Sequence, residues 1–296
     1  MSGALMEPAA KGGSAKKWWI AAVAMALVAG LGVGLGVGLG MRPQHAGGSG
    51  AARGVPHREL LRKVSRSRPS IVFVGDGLTE SGFSYTLGGW GSKLVGAYQR
   101  KADLINRGFG GYYTKYFNDY MLGSLFDVTN PIMGVLFLGV KDSMIKAASG
   151  KIFTPPDKFR EYVDAIMQDG EAAGIRYWLI ITPPPVWELP GKPGARTMAN
   201  TQLYADALWD LGKKYNATVL DIFANWQRVP DWTTQFINAD RLHLSAGGNE
   251  KLFNDVLNTI KAQIPDMDPA KMAWQFPSMD DIDRDNPGPA FANLGQ

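Results

Sequence analysis

The 296-residue sequence contains no cysteine and only three histidines. The missing cysteine removes disulfides, thiolate metal sites and a cysteine nucleophile at one stroke, while leaving the cellular compartment open. Three histidines without cysteine give too few ligands for a zinc site. No phosphate-binding loop or dinucleotide fingerprint is present, so no cofactor is expected. A basic face on the folded part is missing as well. Residues 1–69 hold ten Lys/Arg against two Glu, a net of +8, and subtracting this from the overall +4 leaves −4 for residues 70–296. An acidic domain argues against nucleic acid as the main partner, whereas a basic stem suits anionic lipid headgroups.

Charge is also absent from Trp18 to Met41. That run of about 24 residues is long enough to cross a bilayer core as a helix. It exceeds the roughly 7–15 apolar residues of a cleavable signal peptide. The expectation is a polar tail at 1–17, a retained single-pass anchor at 18–41 and a membrane localisation. Trp18 and Trp19 would sit at the interface. Gly30, Gly32, Gly34, Gly36, Gly38 and Gly40 alternate with Leu and Val. Such small-residue spacing fits a helix–helix partner, or simply a compositionally biased anchor. Lys11, Lys16 and Lys17 before the run nearly balance Arg42, Arg53 and Arg58 after it, so orientation is undecided. The sequon Asn216-Ala217-Thr218 would report that orientation if glycosylated. Residues 42–69 read as a flexible basic stem, or as a short surface helix around Leu60, Leu61 and Val64.

Beyond Ser70, apolar runs alternate with amphipathic stretches. Strands are expected at Ile71–Val74, Ala102–Ile105, Ile132–Leu138, Tyr177–Ile181 and Val219–Ile222. Helices are expected at Gly91–Lys101, Tyr112–Met121, Asp157–Ala173, Thr201–Tyr215 and Ala246–Ile264. Strands separated by helices predict a three-layer α/β/α sandwich around a parallel five-stranded sheet, spanning 70–264. Ligands bind such sheets at the carboxyl ends of the strands.

Four polar motifs follow strand ends: IVFVGDGLTESG (71–82), NRGFGGYYT (106–114), FLGVKDS (137–143) and DRLHLSAGGNEKLF (240–253). An Asp that holds one imidazole nitrogen, as Asp240 can hold His243 three residues on, leaves the other nitrogen to act as a base. Glycines at 110 and 111 let backbone N–H groups approach an anion. Together, in this order, the motifs resemble the four blocks of the SGNH/GDSL ester hydrolases, which have a flavodoxin-like sheet. The segments GWGSKLVGAYQRKADLINRGF (89–109), ITPPPVWE (181–188) and FPSMDDIDRDNP (276–287) are similar to the isoamyl-acetate-hydrolysing esterase branch. The resemblance covers about residues 68–291 and implies that the 265–296 extension packs on the domain.

The resemblance also assigns roles. Asp240 and His243 match the acid and base, and Gly111 matches an oxyanion-hole donor. Asp76 matches the aspartate that precedes the nucleophile, but the nucleophile position itself is Gly77. Lys141 replaces the oxyanion-hole asparagine, Tyr113 stands where this branch has asparagine, and Asp142 matches the aspartate of the third block. Asp76, Tyr112, Tyr113 and Asp142 are expected to line a pocket for an ester or acyl ligand. Acyl transfer needs a hydroxyl that His can deprotonate, and a lost oxyanion donor costs on the order of 10²–10³ in rate. The expected protein is therefore a catalytically degenerate esterase fold kept for binding or structure. The alternative is an active hydrolase in which Asp240–His243 activates water, or in which Thr79, Ser81, Ser143 or Lys141 takes part. A single engineered change at 77 would leave Lys141 and Tyr113 unexplained. Lys141 is expected to ion-pair with Asp76, Asp142 or Asp240.

Overall fold

The computed structural model describes residues 68–191 and 194–292. The tail 1–17, the anchor 18–41 with Gly30–Gly40 and nearly all of the stem 42–69 lie outside the described residues. Among those described, no helix is long and apolar enough to cross a membrane.

Five strands form one sheet: β1 (Ser70–Gly75), β2 (Asp103–Gly108), β3 (Pro131–Phe137), β4 (Tyr177–Ile181) and β5 (Thr218–Leu220). Their order is β2-β1-β3-β4-β5 and every pairing is parallel. Among the described residues, ten helices accompany them: α1 (Gly77–Gly82), α2 (Trp90–Ala97), α3 (Thr114–Tyr120), α4 (Lys146–Ser149), α5 (Pro156–Ala173), α6 (Met198–Lys214), α7 (Ile222–Trp226), α8 (Trp232–Phe236), α9 (Ala246–Gln263) and α10 (Gly288–Ala292).

Successive side chains of a strand point to opposite faces, and both faces of this sheet are covered. Ile71 and Phe73 of β1 enter one core with Met133, Val135, Leu179 and Ile181, closed by Trp90 and Leu94 of α2 and Leu252, Val256 and Ile260 of α9. Val72 and Val74 enter the other core with Leu136, Trp178 and Ile180, closed by Phe159, Val163 and Ile166 of α5 and Tyr204 and Leu208 of α6. The unbroken apolar runs of β1, β3 and β4 follow from this two-sided burial. Gly134 and Gly170 leave room for the Trp178 ring, which a Cβ at either position would meet at 2.2 or 2.6 Å.

Each expected strand and long helix is present, Tyr177–Ile181 with the expected bounds and the others with shifted ends. β2 runs on to Gly108 because pairing with β1 continues through Gly75↔Gly108. α2 stops at Ala97 where Tyr98 turns away to donate its hydroxyl to the Met267 carbonyl at 2.7 Å. The segment after α9 stays close to that corner. Arg100 donates to the carbonyls of Phe276 and Pro277, both at 2.9 Å, and its guanidinium lies 4.4 Å from the Trp274 ring centroid.

The order of strands creates a switch point. The chain leaves β1 toward β2 on one side and returns to β3 on the other, and the crevice at the carboxyl ends of β1 and β3 is where such sheets bind ligands.

Candidate active site

Asp76 is the first residue past β1 and caps α1, its Oδ1 accepting the Leu78 N–H at 3.1 Å. Its Oδ2 accepts the N–H of Lys141, just past β3, at 3.2 Å. One buried carboxylate thus ties together the loops on either side of the switch point. Burial pushes the Asp76 carboxyl above the ordinary aspartate value, against the pull of these two N–H groups and of the Arg196 and Lys141 charges.

Gly77 follows and is half-buried. With Asp76, Leu78, Gly111, Val140, Lys141, Arg196, Leu242 and His243 it lines a cleft of about 400 Å³. A Cβ placed on Gly77 would meet only the Gly110 Cα, at 3.6 Å. Space for a side chain is therefore present at position 77. Gly111 has φ +83, a conformation that favours glycine, and its N–H has no acceptor within the described chain. The neighbouring Gly110 N–H is taken by the Glu80 carboxylate.

His243 reaches the cleft from the turn before α9. Its Nδ1 lies 2.6 Å from Asp240 Oδ2, while Asp240 Oδ1 accepts the N–H groups of Leu242 at 2.9 Å and His243 at 3.0 Å. Burial acts to raise the Asp240 pKa, but these three hydrogen bonds hold it below the ordinary value. An ionised partner at Nδ1 assigns the ring proton there and leaves Nε2 as the acceptor. The same contacts pin the turn, in which Arg241 takes φ +62, so Asp240 has a structural duty alongside its orienting one.

The remaining pocket candidates fall elsewhere. Asp142 is 1% exposed and does not line the cleft. It accepts the Thr114 N–H at 3.0 Å and the Thr114 hydroxyl at 2.8 Å, capping α3 and binding the third motif to the second. Burial pushes its pKa up to about 6, opposed by the Thr114 bonds. Tyr112 is exposed and stacks on Phe109, with ring centroids 5.4 Å apart. Tyr113 is buried beneath the loop. The expected Lys141 ion pair is absent too. Its ammonium joins no ion pair among the described residues, because Asp76 is already engaged by main chain and Asp142 faces Thr114. It lies instead over the Tyr113 ring, 5.3 Å from the centroid. Two of the three positions that the resemblance marks as departures, 113 and 141, therefore lie against each other.

Among the described residues, no alternative hydroxyl enters the cleft. Thr79 is fully buried behind it, its Oγ1 turned toward the Phe137 carbonyl at 3.5 Å. Ser81 donates to the Gly77 carbonyl at 2.6 Å, and the buried Ser143 donates to Val140 at 3.2 Å. Arg196 is the residue that motif reading missed. It comes from the loop before α6, is positioned by a bridge to Met144, and donates its Nε–H to the Val140 carbonyl. It also lines a second groove of about 710 Å³, shared with Val140, Asp240 and Leu242 and walled by Pro184, Pro185, Val186 and Trp187. Among the described residues, no group of three or more acidic or histidine side chains is placed to hold a metal.

Comparison with known proteins identifies the family and the fold. The sequence model of the GDSL-like lipase/acylhydrolase family matches residues 73–251. The chain belongs to that family. A GDSL esterase/lipase of Arabidopsis thaliana is 30% identical to it over 76% of this chain and 98% of its own length. An isoamyl acetate-hydrolyzing esterase 1 homolog of Mus musculus is 28% identical over 74% and 90%. The crystal structure of the lipase/acylhydrolase from Enterococcus faecalis superposes with a TM-score of 0.52 at 24% identity, covering 66% of this chain and 96% of that one. The fold is the α/β SGNH hydrolase fold with its parallel five-stranded sheet.

Proposed function

We propose that this family member is a membrane-anchored protein whose ester-hydrolase site is catalytically degenerate and retained for binding. One observation carries the reading: the cleft that should hold a nucleophilic hydroxyl is lined at that point by Gly77, and none of Thr79, Ser81 or Ser143 lines it. Without a nucleophile there is no acyl-enzyme. The Lys141 side chain, a flexible point charge, does not replace the directed amide donor of the oxyanion hole. Anchoring rests on the charge-free run from Trp18 to Met41.

A second reading has its own support. The Asp240–His243 pair is in contact at 2.6 Å and His243 faces the cleft, so the base can act on water directly. One assay separates the two. The full-length chain is offered short-chain esters beside a Gly77→Ser/Lys141→Asn variant. The expected result is a silent parent and an active variant. Turnover by the parent that vanishes on His243→Ala refutes degeneracy and supports water activation.

A further inference from the structure

The sequence holds a single Asn-x-Ser/Thr triplet with a non-proline centre, Asn216-Ala217-Thr218. N-linked oligosaccharide is attached to the asparagine of such a triplet, and the hydroxyl two residues on is part of the acceptor. The triplet takes no part in the cleft, and its place in the fold suits this modification.

Asn216 forms the turn between α6 and β5. The helix ends in two backbone bonds that reach back along it, from the Ala217 N–H to the Gly212 carbonyl at 2.9 Å and from the Asn216 N–H to the Lys213 carbonyl at 3.4 Å. This closure puts Asn216 in the left-handed region, with φ +48, where asparagine is the usual alternative to glycine. The residues before it are tied down. The Lys214 ammonium and the Tyr215 hydroxyl both donate to Asp164 Oδ1, each at 2.6 Å. Asn216 itself is exposed, and neither its amide nor the Thr218 hydroxyl makes a hydrogen bond among the described residues. The acceptor amide is therefore free, on a turn whose backbone is fixed.

The surroundings leave room for a bulky group. Thr218 opens β5, which pairs with β4 and ends the sheet on that side. Because every pairing is parallel, Asn216 lies at the amino ends of the strands, the end at which Arg68 leads into β1. The cleft is at the opposite, carboxyl end, so a glycan on Asn216 leaves it open.

We propose that Asn216 carries an N-linked glycan, and that this domain accordingly lies on the lumenal or extracellular side of a membrane. The orientation rests on the reading of Trp18–Met41 as a retained anchor. In the transfer, Asn216 Nδ2 attacks the anomeric carbon of an oligosaccharide carried on a lipid pyrophosphate. The new C–N bond replaces the sugar's C–O bond to phosphate, the amide gives up one proton, and the lipid pyrophosphate leaves.

The test translates the full-length chain with sealed endoplasmic-reticulum microsomes. Gel mobility is compared before and after endoglycosidase H, and alkaline carbonate extraction reports on the anchor. The expected result is one glycan-sized step, found in the membrane pellet and removed by the enzyme. Asn216→Gly keeps the left-handed turn and is expected to lose the step with no fall in Tm. Thr218→Val keeps a β-branched strand residue without the hydroxyl and is expected to lose the step too, whereas Thr218→Ser retains it. No step in the parent, or a step that survives Asn216→Gly or Thr218→Val, overturns the proposal. Failure of the anchor looks different: a glycosylated chain released by carbonate leaves the modification standing and removes the anchor, while a carbonate-resistant chain without the step does the reverse.

Discussion

Gly77→Ser tests whether the nucleophile position is an empty socket or a remodelled one. A Cβ there would contact only the Gly110 Cα, at 3.6 Å, which is ordinary van der Waals distance, and the backbone φ is not in the left-handed region. Replacing glycine at a compatible conformation stabilises by about 0.4–1 kcal/mol through the unfolded chain. The serine hydroxyl opens into a solvent-accessible cleft, so its desolvation offsets at most a few tenths. The net change is within about 1 kcal/mol, a shift of no more than roughly 2–4 °C in Tm for a domain of this size. Gly75→Ser, two residues earlier, provides the contrast. There a Cβ would stand 1.9 Å from Thr79 Oγ1 and 2.6 Å from the Phe137 carbonyl oxygen, and the overpacking costs about 1–3 kcal/mol or more. Thermal and urea melts compare the two variants. A fluorophosphonate probe then asks whether the introduced serine is activated, with a Gly77→Ser/His243→Ala variant as its control. A Gly77→Ser protein that melts as low as Gly75→Ser refutes the open-socket reasoning. Labelling that survives the loss of His243 refutes the claim that base and nucleophile position share one cleft.

Two further outcomes follow from the same geometry. Burial raises the folded-state pKa of Asp142 from 3.8 to about 6, so the fold favours the protonated form; the resulting stability is full below pH 4 and is lost as pH rises through 6. That interval is worth about 3 kcal/mol. Asp142→Asn, which keeps an acceptor for the Thr114 N–H, should therefore match wild type near pH 4 and exceed it near pH 8 in chemical denaturation, and a stability difference flat across that range contradicts the assignment. Asp240→Ala removes the acceptor of the Leu242 and His243 N–H groups in a half-exposed turn. The expected loss is about 1 kcal/mol, read as a Tm decrease of roughly 2–4 °C; an unchanged Tm would mean that Asp240 does not hold the turn.

Much of the architecture was legible because two-sided burial writes itself into sequence. Ile132–Leu138 reads as a strand with no partner in view, since both faces demand apolar residues. Short helices carry no such imprint: α1, α7 and α8 have five or six residues each and are held by packing and by caps such as Asp221. The end of β2 was equally silent. Asn106, Arg107 and Gly108 look like loop and become strand only through pairing with β1. At the site, Asp76, Gly77 and Lys141 could be placed because they stand in motifs just past strand ends that resemble the family's blocks. Arg196 could not, because a bridge to Met144 brings it in from a loop with no motif. Nor could the sequence tell that Asp142 turns inward to Thr114, since capping by a distant loop leaves no local signature.

The Asp76 carboxylate holds main chain at both ends, Leu78 N–H on one side and Lys141 N–H on the other. Such a clasp uses only main chain at position 141, and the turn it closes from Asp76 to Leu78 spans position 77 without using a side chain there. The side chains at positions 77 and 141 are therefore not needed to hold the two loops together. Folding alone can preserve the outline of this cleft whatever side chains stand at those two positions, so a well-formed cleft here is no witness to an active one.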